Sequence, residues 1–290
     1  MKAKVYFTRQ ITPEAVLRLY EALGVTLRGN VAIKVHSGEV GNQNFIRPDF
    51  WADIIGRVGG TVVECNTAYE GARDTTAKHI KTLKVHGWSD FYPVEILDGE
   101  GEDLVLPVQG GKVLTKNYVG CGIGKYDDVL VLSHFKGHPS GGFGGALKQL
   151  SIGFASSYGK KYIHGGGQTE NFWYTEQNRF LDAMAEAASS VVDYFKGKGG
   201  QIVYINVMKN MSVDCDCCAK AEDPCIADIG MFASLDPVAI DRACLDLVYA
   251  CEDAGRDHLI ERIESRNGIR TVDTAVSLGV GTTEYELIEI

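Results

Sequence analysis

The chain has 290 residues, 45% of them apolar and 23% charged, which suits a globular protein built as one large α/β domain or two small ones. Its formal net charge of −9 lacks the basic excess that a general nucleic-acid binder needs. No apolar stretch approaches the roughly 18 residues of a membrane span, and the first residues lack the apolar core of a signal peptide, so a cytoplasmic protein with no membrane partner is expected.

Taken in chain order, β-branched runs alternate with amphipathic stretches. A strand at 4–8 precedes a helix at 13–23, a strand at 31–36 a helix at 48–58, and a strand at 61–66 a helix at 74–86. Strands at 94–97 and 104–107 break the alternation, and segment 94–120 reads as an inserted antiparallel hairpin around Asp98-Gly99-Glu100-Gly101. A strand at 129–134 then leads to a helix at 144–157, a strand at 161–163 and a helix at 169–196. A strand at 202–208 and helices at 236–250, 257–267 and 272–278 complete the chain. This order predicts a single α/β domain, with a mostly parallel sheet covered by helices on both faces.

Parallel sheets bind ligands beyond the carboxyl ends of their strands. Those ends carry chemistry here: Lys34 and His36 after the second strand, Cys65 and Asn66 after the third, His134, Lys136 and His138 after the central one. The last group opens a glycine-rich turn that runs through Gly141, Gly142, Gly144 and Gly145 to Lys148. Freed backbone N–H groups at a helix start, with four protonatable side chains around them, predict a site for a small anionic ligand. The spacing is neither a Walker A loop nor a clean dinucleotide fingerprint. A turn that needs glycine for packing alone is the competing reading.

Half of the eight cysteines fall within residues 215–225, as Cys215-Asp216-Cys217-Cys218 and, seven residues on, Cys225. In a cytosolic chain, thiols so dense are expected to be ligands for a soft metal or a redox centre rather than disulfides. Their spacing matches no common ferredoxin run and no four-cysteine zinc ribbon, so an iron–sulfur cluster, a mononuclear metal and a redox thiol pair all stay open. Asp228, just beyond the cluster, is a candidate metal or base residue, whereas Asp236 reads as a helix cap before Pro237. His79, His86, His164 and His258 are expected in core or surface roles, and Cys244 and Cys251 as small buried hydrophobes.

Three blocks resemble the DUF362 family: Phe45-Ile46-Arg47-Pro48 through Cys65-Asn66-Thr67, His134-Phe135-Lys136-Gly137-His138 through Lys148, and Asp214-Cys215-Asp216-Cys217 through Asp241. Members of that family are often described as iron–sulfur proteins, some with an added ferredoxin-like segment that this chain lacks. The resemblance implies a centre at Cys215 and Cys217; other residues usually stand at Cys218 and Cys225. It implies no established reaction.

Together these features favour a redox protein with a Cys-ligated centre, such as a 4Fe-4S cluster, beside an anion-binding crevice. It would act as an oxidoreductase on a small anion or as an electron carrier with a redox partner protein. Cys215, Cys217, Cys218 and Cys225 would hold the centre. Gly142, Gly144, Gly145, Lys148, Lys34 and His36 would hold the anion, and His134, His138, Lys136 and Asp228 would serve catalysis. A hydrolase or lyase using zinc or mononuclear iron is the first alternative. A non-catalytic metal or cluster carrier is the second.

Overall fold

A computed structural model describes residues 2–290. Its strands are β1 (Ala3–Thr8), β2 (Val31–Lys34), β3 (Thr61–Glu64), β4 (Val94–Ile96), β5 (Leu104–Pro107), β6 (Lys116–Val119), β7 (Asp128–His134), β8 (Lys136–His138), β9 (Gly142–Gly144), β10 (Ile202–Met208), β11 (Gly230–Ser234) and β12 (Tyr285–Glu289). Eight of them form one sheet in the order β12-β1-β11-β10-β7-β2-β3-β4. All pairs are parallel except those of β11, which runs antiparallel to both β1 and β10.

The two central strands explain why the sheet needs two covers. Every residue of β7 and of β10 is buried, as expected for strands packed on both faces. Side chains alternate between faces. Val129 and Val131 therefore meet the helices Gln177–Gly197 and Pro237–Ala250, while Leu130 and Leu132 meet Pro13–Ala22, Ala52–Val58 and Thr76–Val85. Asp236 caps Pro237–Ala250 by accepting from the amides of Val238 and Ala239, as its position before proline predicts. Among the described residues no helix is long and apolar enough to cross a membrane.

Several expectations need correction. Residues 94–96 form β4, a parallel edge strand beside β3, and the separate hairpin pairs β5 with β6 through a turn after Pro107, not at Asp98–Gly101. Residues 161–163 lie inside the helix Ser157–His164, capped by Ser156. Their Tyr-Ile pair mimics a strand, but the cap and the tertiary contacts with β6 override so short a local signal. The helix expected at 144–157 stops at Leu150. The sheet also contains β11, whose short apolar run carries no period to separate strand from loop.

The glycine-rich turn folds back on itself: β8 pairs with β9 as an antiparallel hairpin. Gly142 sits at φ +79°, where a Cβ would come within 2.9 Å of the Gly268 Cα. The helix Ala146–Leu150 that follows has its first amides filled. Ala146 and Leu147 donate to the Asp241 carboxylate at 2.8 and 2.9 Å, and a Cβ at Gly145 would strike that same carboxylate. Packing accounts for these two glycines. The helix start is capped from within and does not offer its amides to an anion.

Candidate functional site

The carboxyl ends of β2, β3 and β7 open into a cavity of about 310 Å³. Lys34, His36, His134, Lys136, His138, Gly144, Gly145 and Lys148, all singled out by sequence, line it together with Cys217. The cysteine loop follows β10, a parallel neighbour of β7, so both loops emerge at the same edge of the sheet. That shared edge is why His138 and the Cys215–Cys217 pair meet.

Cys215 is fully buried. Its neighbours favour the thiolate: Cys217 donates to it, and Lys148 Nζ lies 3.4 Å from its Sγ, with Lys136 and His138 adding favourable charge. These hold the thiol well below its usual range although burial opposes them. The Cys217 thiol is correspondingly pushed up, because it donates to Cys215 and hydrogen-bonds Cys218.

Two imidazoles complete the surroundings. His138 Nδ1 accepts from the amides of Ser140 and Gly141 at 3.2 and 2.8 Å, which leaves the other nitrogen to meet Cys215. His36 follows the same logic, with Nδ1 accepting from Gly38 at 3.1 Å and the ring hydrogen-bonded to Cys215. Burial, then Lys148, pushes His138 down to about 4, so it stays a neutral ring near pH 7. With Nδ1 accepting, its one proton sits on the nitrogen that faces Cys215, and that proton must leave before the ring can ligate an ion. The donor atoms of His138, Cys215 and Cys217 all lie within 4.8 Å of one another. Two cysteine sulfurs and one imidazole, once the Cys217 thiol gives up its proton, are a known set for a zinc site with an open position.

The family resemblance implies an iron–sulfur cluster, and the donor set here does not supply its four thiolates. Cys218 is half-buried, touches Cys217 and does not line the cavity. Cys225 is elsewhere: its amide and thiol both donate to the Met211 carbonyl. A single ion held by two cysteines and a histidine fits these residues, and a four-thiolate cluster does not.

Asp216, between the two cysteines, organises the wall behind them. It is 1% exposed and accepts from His134 Nδ1 at 2.9 Å and Lys136 Nζ at 2.9 Å. Burial alone would raise its carboxyl, but those two partners hold it well below the carboxylate range. His134 spends its other nitrogen on the Lys209 carbonyl at 2.6 Å. With both ring nitrogens engaged, it has none free to exchange protons with a ligand. Lys136 is likewise tied to Asp216 and the His134 carbonyl. Neither side chain is left free for the catalytic role expected of it. Asp228 lies outside the cavity; it binds Lys209 at 2.9 Å and caps Asn210, whose φ is +50°.

A second loop clasps the cysteine segment. Asn42, Gln43 and Asn44 donate side-chain amides to the carbonyls of Cys218, Ala221 and Glu222 at 2.8, 2.7 and 2.8 Å. The Glu39 amide donates to the Asp216 carbonyl at 2.8 Å, and Arg73 ties Glu39 to the cavity wall at 3.2 Å. Sequence reading missed this clasp, as it missed Asp216, Arg73 and Lys160. The one available signal was three consecutive carboxamides in a loop at a strand's carboxyl end.

Residues 31–246 match the family model described as Domain of unknown function (DUF362). No curated protein matches the chain in sequence. Among solved structures it is similar to a Thermotoga maritima protein, at 11% identity and TM-score 0.45, over 91% of this chain and 58% of that one. It is also similar to the lactate racemase apoprotein of Thermoanaerobacterium thermosaccharolyticum, at 13% identity and TM-score 0.40, over 70% of this chain and 50% of that one. The chain thus spans less than two thirds of the length of either structure. The family match runs from β2 into the helix Pro237–Ala250 and takes in the whole candidate centre, and on that match this chain belongs to the DUF362 family.

Proposed function

We propose that the chain is a metal-dependent enzyme in which Cys215, Cys217 and His138 hold one zinc or iron ion at the wall of a cationic cavity that receives a small anion. One observation carries the reading: His138 and Cys217 line, and Cys215 adjoins from behind them, a cavity also lined by Lys34, Arg73, Lys136, Lys148 and Lys160. Cationic walls in a poorly solvated pocket raise the local concentration of anions and orient them. A bound ion would supply Lewis acidity at its open position. The protein's share is to fix the thiolates through Asp216 and the clasp, and to bind the anion with lysine.

A redox iron centre is the second reading. It is favoured by Cys218, which adds a third thiol in contact with Cys217. The two readings separate on one preparation. Protein purified without oxygen is assayed for metal and for visible absorption, alongside Cys215→Ser, Cys217→Ser, His138→Ala and Cys225→Ser. About one ion per chain is expected in the parent and in Cys225→Ser, and a large loss in the other three. A colourless metal-loaded protein supports zinc, and thiolate-to-iron absorption supports the redox centre. Parent-level metal in a Cys215→Ser/Cys217→Ser double variant would end both readings.

A further inference from the structure

The metal reading counts Lys160 among the cationic walls but gives no role to the aromatic groups beside it. The helix Ser157–His164 presents Lys160 and His164 four residues apart, hence on one face, and both line the cavity. Lys160 is 8% exposed. Its ammonium donates to the carbonyls of Ala155 at 2.6 Å and Cys65 at 3.4 Å. A third proton has no acceptor, and no carboxylate lies within ion-pair distance of it, among the described residues; Asp103 attracts it only at longer range, and Asp103 itself accepts from Ser156 at 2.6 Å.

The other fully buried cavity cations are balanced. Lys34 faces Glu64 at 3.6 Å, Arg73 faces Glu39 at 3.2 Å, and Lys136 faces Asp216 at 2.9 Å. A buried ammonium whose only direct partners are carbonyls is costly unless an anion joins it. That imbalance points to a ligand.

The surface next to Lys160 is aromatic. The His164 ring stacks on Phe180 at 4.5 Å and 11°, and Trp173 lies tilted against the same His164 ring at 4.8 Å and 57°. Burial, then His138 and Lys148, pushes His164 down to about 3, so near pH 7 it is a neutral ring and not a further cation. Trp173 is half-exposed and lines the cavity at its rim. Aromatic faces of this kind hold flat apolar groups.

We propose that the ligand is a small aromatic carboxylate whose carboxylate pairs with Lys160 and whose ring lies against His164 and Trp173. The inference rests on the cavity being the anion site named above and adds the class of anion. The cavity volume of about 310 Å³ limits the ligand to a small one.

Benzoate and acetate serve as probes of the full-length protein as purified. Trp51 and Trp88 are 2% and 0% exposed, so a fluorescence change on titration reports chiefly on Trp173. Benzoate is expected to give a saturable change and to bind at least about tenfold more tightly than acetate. By calorimetry, Lys160→Met should weaken benzoate about tenfold or more with metal content unchanged. Trp173→Leu should remove most of benzoate's advantage over acetate.

Equal affinity for the two probes, no saturable binding, or full binding by Lys160→Met would each overturn the proposal. So would Lys160→Met losing its metal along with its ligand, since Lys160 would then be structural. The two readings fail separately. Metal-loaded protein that ignores benzoate sinks only the ligand class, and metal-free protein that binds it sinks only the metal centre.

Discussion

The two edges of the sheet put the same residue types to opposite uses. At the amino-terminal edge a crevice of about 600 Å³, larger than the candidate site, is lined by Arg28, Asp127, Asp128 and Lys198. Its charges are spent on the chain itself. Asp128 accepts from the amides of Arg28 and Gln201 at 2.6 and 2.8 Å, Asp127 from Asn30 at 2.8 Å, and Lys198 donates to the Tyr126 carbonyl at 2.6 Å. At the carboxyl edge the carboxylates balance buried cations, and thiols and one ammonium remain for something else. Volume does not separate the two crevices; the hydrogen bonds still to be made do.

The sharpest test of that difference sets one aspartate against the other. Asp216→Asn removes the counter-charge of Lys136 and leaves that ammonium buried, so a loss of about 3–5 kcal/mol in unfolding free energy is expected from urea titration. A loss under about 1 kcal/mol would mean that the carboxyl edge carries no stored charge. Next in size is the effect of metal. Zinc at about 100 times its Kd should stabilise the parent by about 2.7 kcal/mol and leave a Cys215→Ser/Cys217→Ser variant unmoved in a thermal melt. Equal shifts in both proteins would place the ion outside this site.

Asp128→Ala at the opposite edge deprives two amides of their acceptor and should cost about 1–3 kcal/mol, with metal content intact. Loss of metal in this variant would erase the distinction between the edges.

The smallest effect expected is on pH dependence. Burial pushes His79 down to about 3 in the fold, against a free value of about 6.5. The unfolded chain therefore takes up the proton first, and the fold loses stability as pH falls below about 6.5. Neutral glutamine cannot do this, so His79→Gln should flatten the profile, by about 1.4 kcal/mol between pH 8 and 5.5. Melts that stay parallel over that range would show that His79 is not held neutral.

The sequence alone determined what is local. Alternating β-branched and amphipathic runs announced a parallel α/β sheet, because side-chain period is a property of a few neighbouring residues. Cys215 and Cys217 were legible as part of the candidate metal site, since a C-x-C pair needs no distant partner to bring two sulfurs together. Lys34, His36, His138 and Lys148 were legible through one topological rule, that ligands collect at the carboxyl ends of parallel strands.

Tertiary structure decided who pairs with whom. Strand order placed the loops after β7 and β10 side by side, and only then could His138 meet the cysteines, from 77 residues away in sequence. It gave Asp241 the amides of Ala146 and Leu147, which turned an apparent anion site into a capped helix. It drew Asp228 to Lys209 and Cys225 to Met211, away from the cavity that their nearness in sequence suggested. It also left Lys160 without a carboxylate at ion-pair distance among the described residues. Hydrogen bonds and ion pairs form between groups that the fold brings within about 3 Å, and no local period encodes that distance.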